Sequence, residues 1–181
     1  MQGKIRLWVP EEPAGRGAGM FRPMRRVAQQ LPEGEALEIL KNGSSGVLAV
    51  AGDEGYPYAV PLSYAYSEGK LFFHVARSGH KLDAIARNDK VSFCVVAQDE
   101  VVPENFTTRY RSVVVFGRAR VLMDDAEKRR ALRLLVEKYS PGFLAEGEDE
   151  ITSAWERFHA LELRIEHMTG KAAKELIAAA M

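Results

Sequence analysis

The sequence predicts a mainly β fold, a six-stranded antiparallel barrel with peripheral helices. Six apolar runs rich in β-branched and aromatic residues lie between residues 46 and 168. The first three follow one another with only Gly52-Asp53-Glu54-Gly55 and Ser67-Glu68-Gly69 between them, which is hairpin punctuation. Helices do not alternate with the strands one for one, as a doubly wound sheet would need. A length of 181 residues suits one domain. Residues 1–19, turn-rich with Pro10 and Pro13, read as an N-terminal extension to a folded unit over 20–181.

The elements follow in order. Pro32 to Lys41 carries early acids, an apolar face with Ala36, Leu37 and Leu40, and Asn42-Gly43 as a stop, so it reads as a short helix. The stretch SGVLAVAGDEGYPYAVPLSYAYSEGKLFFHVA then supplies three strands. His80 to Arg87 is one or two helical turns with Leu82, Ile85 and Ala86 at apolar spacing. Val91 to Ala97 is a strand, and Gln98 to Asn105 a polar loop. TRYRSVVVFGRARVLM is the longest β run, with Gly117 placed to let a barrel strand bend. Asp124-Asp125 open a helix whose stripe is Leu132, Leu135, Val136 and Tyr139. An acidic linker (146–150), a helical piece around Trp155, a strand FHALELRIEHM and a helical tail from Lys171 complete the chain.

Composition excludes several classes. Lys plus Arg and Asp plus Glu are 25 each, which argues against a general electrostatic footprint for nucleic acid or a membrane surface and leaves room for a local basic pocket. The single Cys94 permits no internal disulfide and no CxxC pair, and its setting VSFCVVA is that of a small packed hydrophobe. No run approaches the ~20 apolar residues of a membrane helix, and the first residues lack a signal-peptide pattern, so a cytoplasmic protein is expected. His74 with His80, and His159 with His167, lack HExxH spacing, so no metal site is expected. Ser44, Ser45 and Ser63 lie outside any GxSxG context. Trp155 could be a core anchor, an interface anchor or a stacking lid.

The chemistry concentrates in FFHVARSGHKLDAI, Phe72 to Ile85. Period-two alternation sets Leu71, Phe73 and Val75 on one strand face and Phe72, His74 and Ala76 on the other. Ser78 and Gly79 then lead into a helix start whose free N–H groups favour an anion. His80-Lys81 in that first turn opposes the helix dipole unless a phosphate is bound. The competing reading is a solvated corner. No Walker or GxGxxG pattern is present.

These residues, with MFRPMRR, YPYAVPLSYAY, YRSVVVFGRARVL and IEHMTGKAAKEL in the same order, resemble the flavin-binding split-barrel superfamily typified by pyridoxamine 5′-phosphate oxidase. Within it, the chain is most similar to the 5-nitroimidazole-resistance (Nim) flavoproteins. The resemblance runs from Met20 to about Glu175. It implies a split barrel and a homodimer with FMN at the interface; FAD, haem or deazaflavin are alternative cofactors. It implies that Val60, Pro61, Leu62, Ser63 and Tyr64 run beside the flavin ring, with His74, Val75 and Ala76 along the flavin and ribityl chain. Ser78, Gly79, His80 and Lys81 would hold the phosphate, and Ser112 would lie near the flavin or its phosphate. His80 stands where the oxidase commonly has arginine, and no second arginine-rich phosphate site is evident, which counts against a vitamin B6 oxidase. The implied activity is NAD(P)H-linked reduction of a small electrophile such as a nitroaromatic, with His74 as proton donor or substrate guide. The alternative is a non-catalytic protein of the same fold that binds or senses flavin, haem or deazaflavin.

Overall fold

A computed structural model describes residues 21–178, so the expected extension over 1–19 lies outside the described residues. Seven strands form one antiparallel sheet: β1 (Ser45–Ala51), β2 (Pro57–Ser63), β3 (Ala65–Ser67), β4 (Lys70–Ala76), β5 (Lys90–Val102), β6 (Thr107–Val121) and β7 (Phe158–Ala172). Their order is β2-β1-β5-β6-β7-β4-β3. Because β2 and β3 are consecutive in the chain yet stand at opposite ends of that order, the sheet curls into a barrel. Among the described residues no ladder joins β2 to β4, and the barrel is split there. Among the described residues, five α-helices surround it: α1 (Glu33–Asn42), α2 (His80–Arg87), α3 (Asp125–Tyr139), α4 (Leu144–Ser153) and α5 (Lys174–Ala178). None is long and apolar enough to cross a membrane.

The six expected strands become seven because the run YPYAVPLSYAY breaks at Tyr64. Tyr64 is fully buried, and its backbone N–H donates to the Tyr139 hydroxyl of α3 at 2.9 Å instead of to a neighbouring strand. The same hydroxyl lies 2.7 Å from the Tyr64 carbonyl and 2.5 Å from that of Ser44. The Tyr64 phenol donates to the Leu40 carbonyl at 2.5 Å. Burial, with Tyr139 adding to it, pushes that phenol's pKa above the usual tyrosine range. The strand therefore turns a corner at Tyr64, leaving β1 behind and joining β4.

Two apolar clusters sandwich the sheet. Inside the barrel, Leu48, Phe73, Phe93, Val113, Val115, Leu161 and Leu163 are fully buried. Phe93 meets Tyr64 and Phe73 edge-on, with centroids 4.9 and 5.2 Å apart. Outside, α3 and α4 lay Ala131, Leu132, Leu135 and Ile151 on Ala65, Phe72 and Ala160. Adjacent Phe72 and Phe73 thus serve opposite layers, as a two-residue period requires. Each such side chain contributes about 1.5–3 kcal/mol by leaving water.

Several boundaries differ from expectation. β5 continues through the polar Gln98–Val102 stretch because β6 pairs with it along its whole length, past a bulge between Val96 and Gln98. The acidic 146–150 segment is not a linker but part of α4, and Trp155 follows that helix in a turn. There its ring lies beneath Lys128 Nζ at 4.0 Å, with the Arg129 guanidinium 5.1 Å away. The final strand reaches Ala172, so the C-terminal helix starts later, at Lys174. Cys94 is half-buried, and desolvation pushes its thiol pKa up. Gly117 sits at the irregular register between β6 and β7, where an added Cβ would lie 2.1 Å from the Arg164 carbonyl oxygen.

Candidate functional site

The split exposes an edge whose free groups follow from the register. The Gly52 N–H bonds the Tyr56 carbonyl, and pairing alternates from there. Tyr58, Val60 and Leu62 therefore bond β1, while Pro57, Ala59, Pro61 and Ser63 turn their backbone groups outward. The two prolines have no N–H to leave unpaired, which also guards the edge against further strands. Free donors remain at Ala59 and Ser63, and free carbonyls at all four positions. The side chains divide the same way. Pro61 and Ser63 face solvent, whereas Val60 and Leu62 pack into the barrel. Tyr64 is different from the rest of the expected set, because its phenol, N–H and carbonyl all have partners already.

Across the split, β4 pairs with β3 only through Lys70–Phe72, so Phe73–Ala76 keeps one edge free. His74 and Ala76 are exposed, and Val75 is buried. The chain then turns through Ser78 and Gly79 into α2. Gly79 has φ 134° and ψ 165°, a region closed to other residues, and a Cβ there would meet nothing within 4 Å. No side chain caps α2, and its first bonded N–H groups are those of Leu82 and Asp83. The N–H groups of His80 and Lys81 remain directed out of the helix start. α2 is held in place because Ala84 and Ile85 enter the barrel core.

The charged groups at this corner have separate fates. Lys81 is half-buried and makes no ion pair among the described residues. Arg77 is paired with Glu156 at 2.8 Å. The His80 ring stacks on Tyr58 at 4.2 Å, and its Nε2 lies 3.3 Å from Asp53, which also binds Arg87. The stacking holds the His80 ring against the β1–β2 turn, where its buried Nε2 makes no hydrogen bond among the described residues. Burial, then Arg77 and Lys128, hold the His159 pKa below the usual histidine value, opposite Val75 on β7.

His74 opens onto a cleft of about 680 Å³ between the barrel and the α3–α4 layer. Ser63, Tyr139, Leu135, Ile151 and Phe158 share in lining it, and the Phe158 ring lies edge-on to His74 at 6.4 Å. None of these helical residues was expected at the site. Only the apolar stripe ending in Tyr139 pointed to that surface, and a stripe alone reads as core. Ser112 lies elsewhere. It pairs with Lys171 and Val96, whereas His74 pairs with Ala160 on the same β7 strand. Lys171 lies eleven positions beyond Ala160, roughly 35 Å of strand, so one chain does not bring Ser112 to His74. Among the described residues, no three His, Cys, Asp or Glu side chains converge as a metal site.

The profile of the pyridoxamine 5′-phosphate oxidase family matches residues 32–172, from the start of α1 to the end of β7. The chain belongs to this family. No curated protein matches it. Among solved structures, a FAD and haem binding protein from Mycobacterium smegmatis is 27% identical with a TM-score of 0.65, over 84% of this chain and 80% of that one. A FAD-binding protein from Mesorhizobium loti is 29% identical with a TM-score of 0.57, over 80% and 97%. A proposed 5-nitroimidazole antibiotic resistance protein from Bacteroides thetaiotaomicron shares the fold at 21% identity and a TM-score of 0.67, over 79% and 86%. Family membership accounts for the split barrel and for the matching order of the motifs along it.

Proposed function

We propose that this family member is an FMN-binding flavoprotein that reduces a small electrophile such as a nitroaromatic, with NAD(P)H as electron source. The observation that carries the reading is the uncapped α2 start behind Gly79, with unpaired Lys81 beside it and the free β2 edge across the split. The donor set fits a flavin mononucleotide. Backbone N–H groups and one lysine suit a phosphate, and outward backbone donors and acceptors suit the polar edge of a flavin ring. Bound FMN would supply the electron and hydride transfer that these side chains lack.

The chain's own residues would then divide the work. Lys81 and the N–H groups of His80 and Lys81 bind the phosphate, and Gly79 lets it approach the backbone. Ala59, Pro61 and Ser63 orient the ring along the edge. His74 faces the cleft and holds a proton on its imidazole toward a substrate there. Ser112, which only the resemblance brings to the site, would join it from a second copy, and the protein would then be a homodimer with the sites at its interface. The test is the absorption spectrum of the purified protein, followed by anaerobic NADH or NADPH. A flavin spectrum that bleaches on addition is expected, and a protein that takes up no FMN on titration refutes the reading. A second reading, haem binding, draws on the 27% identical relative and on an exposed histidine at an apolar cleft. A Soret band would select it.

A further inference from the structure

The cleft at His74 has a charge pattern that flavin binding leaves unused. Its volume of about 680 Å³ suits a small organic molecule. Leu132, Leu135, Val136, Ile151 and Phe158 make its walls. At the rim, Phe143 leaves 63% of its surface in water and Tyr139 40%, with Lys138 Nζ 5.5 Å from the Tyr139 ring centroid. The charged lining residues are Glu146 and Glu150, with no lysine or arginine among them.

Neighbouring cations are committed elsewhere. Lys138 donates to the Gly43 carbonyl at 2.6 Å and sits 4.1 Å over the Tyr64 ring, farther from Tyr139 at 5.5 Å. Lys128 donates to the Trp155 carbonyl at 2.7 Å, Arg77 pairs with Glu156, and Arg133 pairs with Glu148. Arg157 approaches Glu150 to 3.3 Å, but both side chains are mostly in water, where such a pair is weak. Glu146 has no ion-pair partner among the described residues.

Negative charge at the mouth of an apolar cleft focuses potential, and open aromatic faces attract cations. Both features select the same sign. We propose that this cleft binds an aromatic or apolar organic cation, such as an arylalkylamine, and rejects anions of the same shape. A phosphorylated substrate would bring its negative charge against Glu146. The inference rests on the flavin reading only in taking the bound cation as the substrate; the binding preference stands without it.

The test uses a matched pair, 2-naphthylmethylamine and 2-naphthoate, titrated calorimetrically into the purified full chain at low salt, with and without saturating FMN. The amine is expected to bind about tenfold tighter than the carboxylate, a difference of about 1.4 kcal/mol. Glu146→Gln combined with Glu150→Gln should bring the two within about threefold, and added salt should narrow the gap in the unmodified protein. Equal affinities, preference for naphthoate, an unchanged preference in the double variant, or complete displacement of the amine by FMN would each overturn the assignment. Failure to take up FMN would remove the flavin reading, while the naphthyl pair would still report on the cleft.

Discussion

The closed wall of the barrel and its split flank are built on opposite terms. In the wall, the β5–β6 and β6–β7 ladders run for twelve and eleven residue pairs, so their backbone groups find partners in the ladder. Buried Glu162 fastens it, accepting from Lys70 at 2.8 Å and from Arg120 at 3.0 Å. On the flank, β2 is an edge strand, β4 loses its neighbour after Phe72, and α2 begins without a cap. Unpaired backbone is costly unless water or a ligand satisfies it. The flank can leave such groups open because the wall holds the barrel, so the proposed site lies where the ladder contributes least to stability.

The same substitution on the two sides sharpens this contrast. Gly117→Ala places a Cβ 2.1 Å from the Arg164 carbonyl oxygen, so the backbone of the wall must shift. A loss of about 3 kcal/mol in urea unfolding is expected, in the range of severe overpacking. Gly79→Ala meets no atom and costs only its backbone conformation, about 1–2 kcal/mol. It should nonetheless weaken FMN binding at least tenfold, whereas Gly117→Ala, where folded, should leave affinity within about twofold. Reversed sensitivities would break the division between wall and flank.

Next in size is Glu162→Gln. Burial would raise this carboxyl's pKa, but hydrogen bonds from Lys70 and Arg120 outweigh that and hold it below the usual glutamate value. Its contribution is therefore present above the unfolded pKa of about 4.3 and is lost as pH falls through the lower folded value. The variant should be less stable by on the order of 1–2 kcal/mol at pH 7, since the cationic partners reach water. The gap to the unmodified protein should narrow as pH falls below about 4.3 and close only beneath the lower folded value. A gap that persists there would mean packing, not charge, is what Glu162 contributes.

What could be read from the sequence divides along the same line. Local patterns placed the wall strands, α2 residue for residue, and the outward face of His74, because periodicity and glycine positions are local facts. The break at Tyr64 was hidden, since PYAVPLSYAY alternates through it and its cause is a hydroxyl 75 residues later. His80 looked free for an anion because nothing local shows Asp53 and Tyr58 folding back onto it. Phe72 and His74 share a strand face, yet one is covered by α3 and the other opens on the cleft. Where a helix layer stops is a tertiary fact.

The smallest effect on stability is expected at the point that matters most for the flank. Lys81 is half-buried, makes no ion pair among the described residues, and lies in the first turn of α2, where a positive charge opposes the helix dipole. Lys81→Ala should therefore change unfolding free energy by less than about 0.5 kcal/mol, as for a surface site. Its effect on ligands should be selective. FMN should weaken at least tenfold, while riboflavin, which lacks the phosphate, should change by less than about twofold, because a charge-assisted contact is lost from one ligand only. Fluorescence titration of both flavins separates the outcomes. Equal losses would move the phosphate away from α2, and with it the reason for an uncapped helix start behind Gly79.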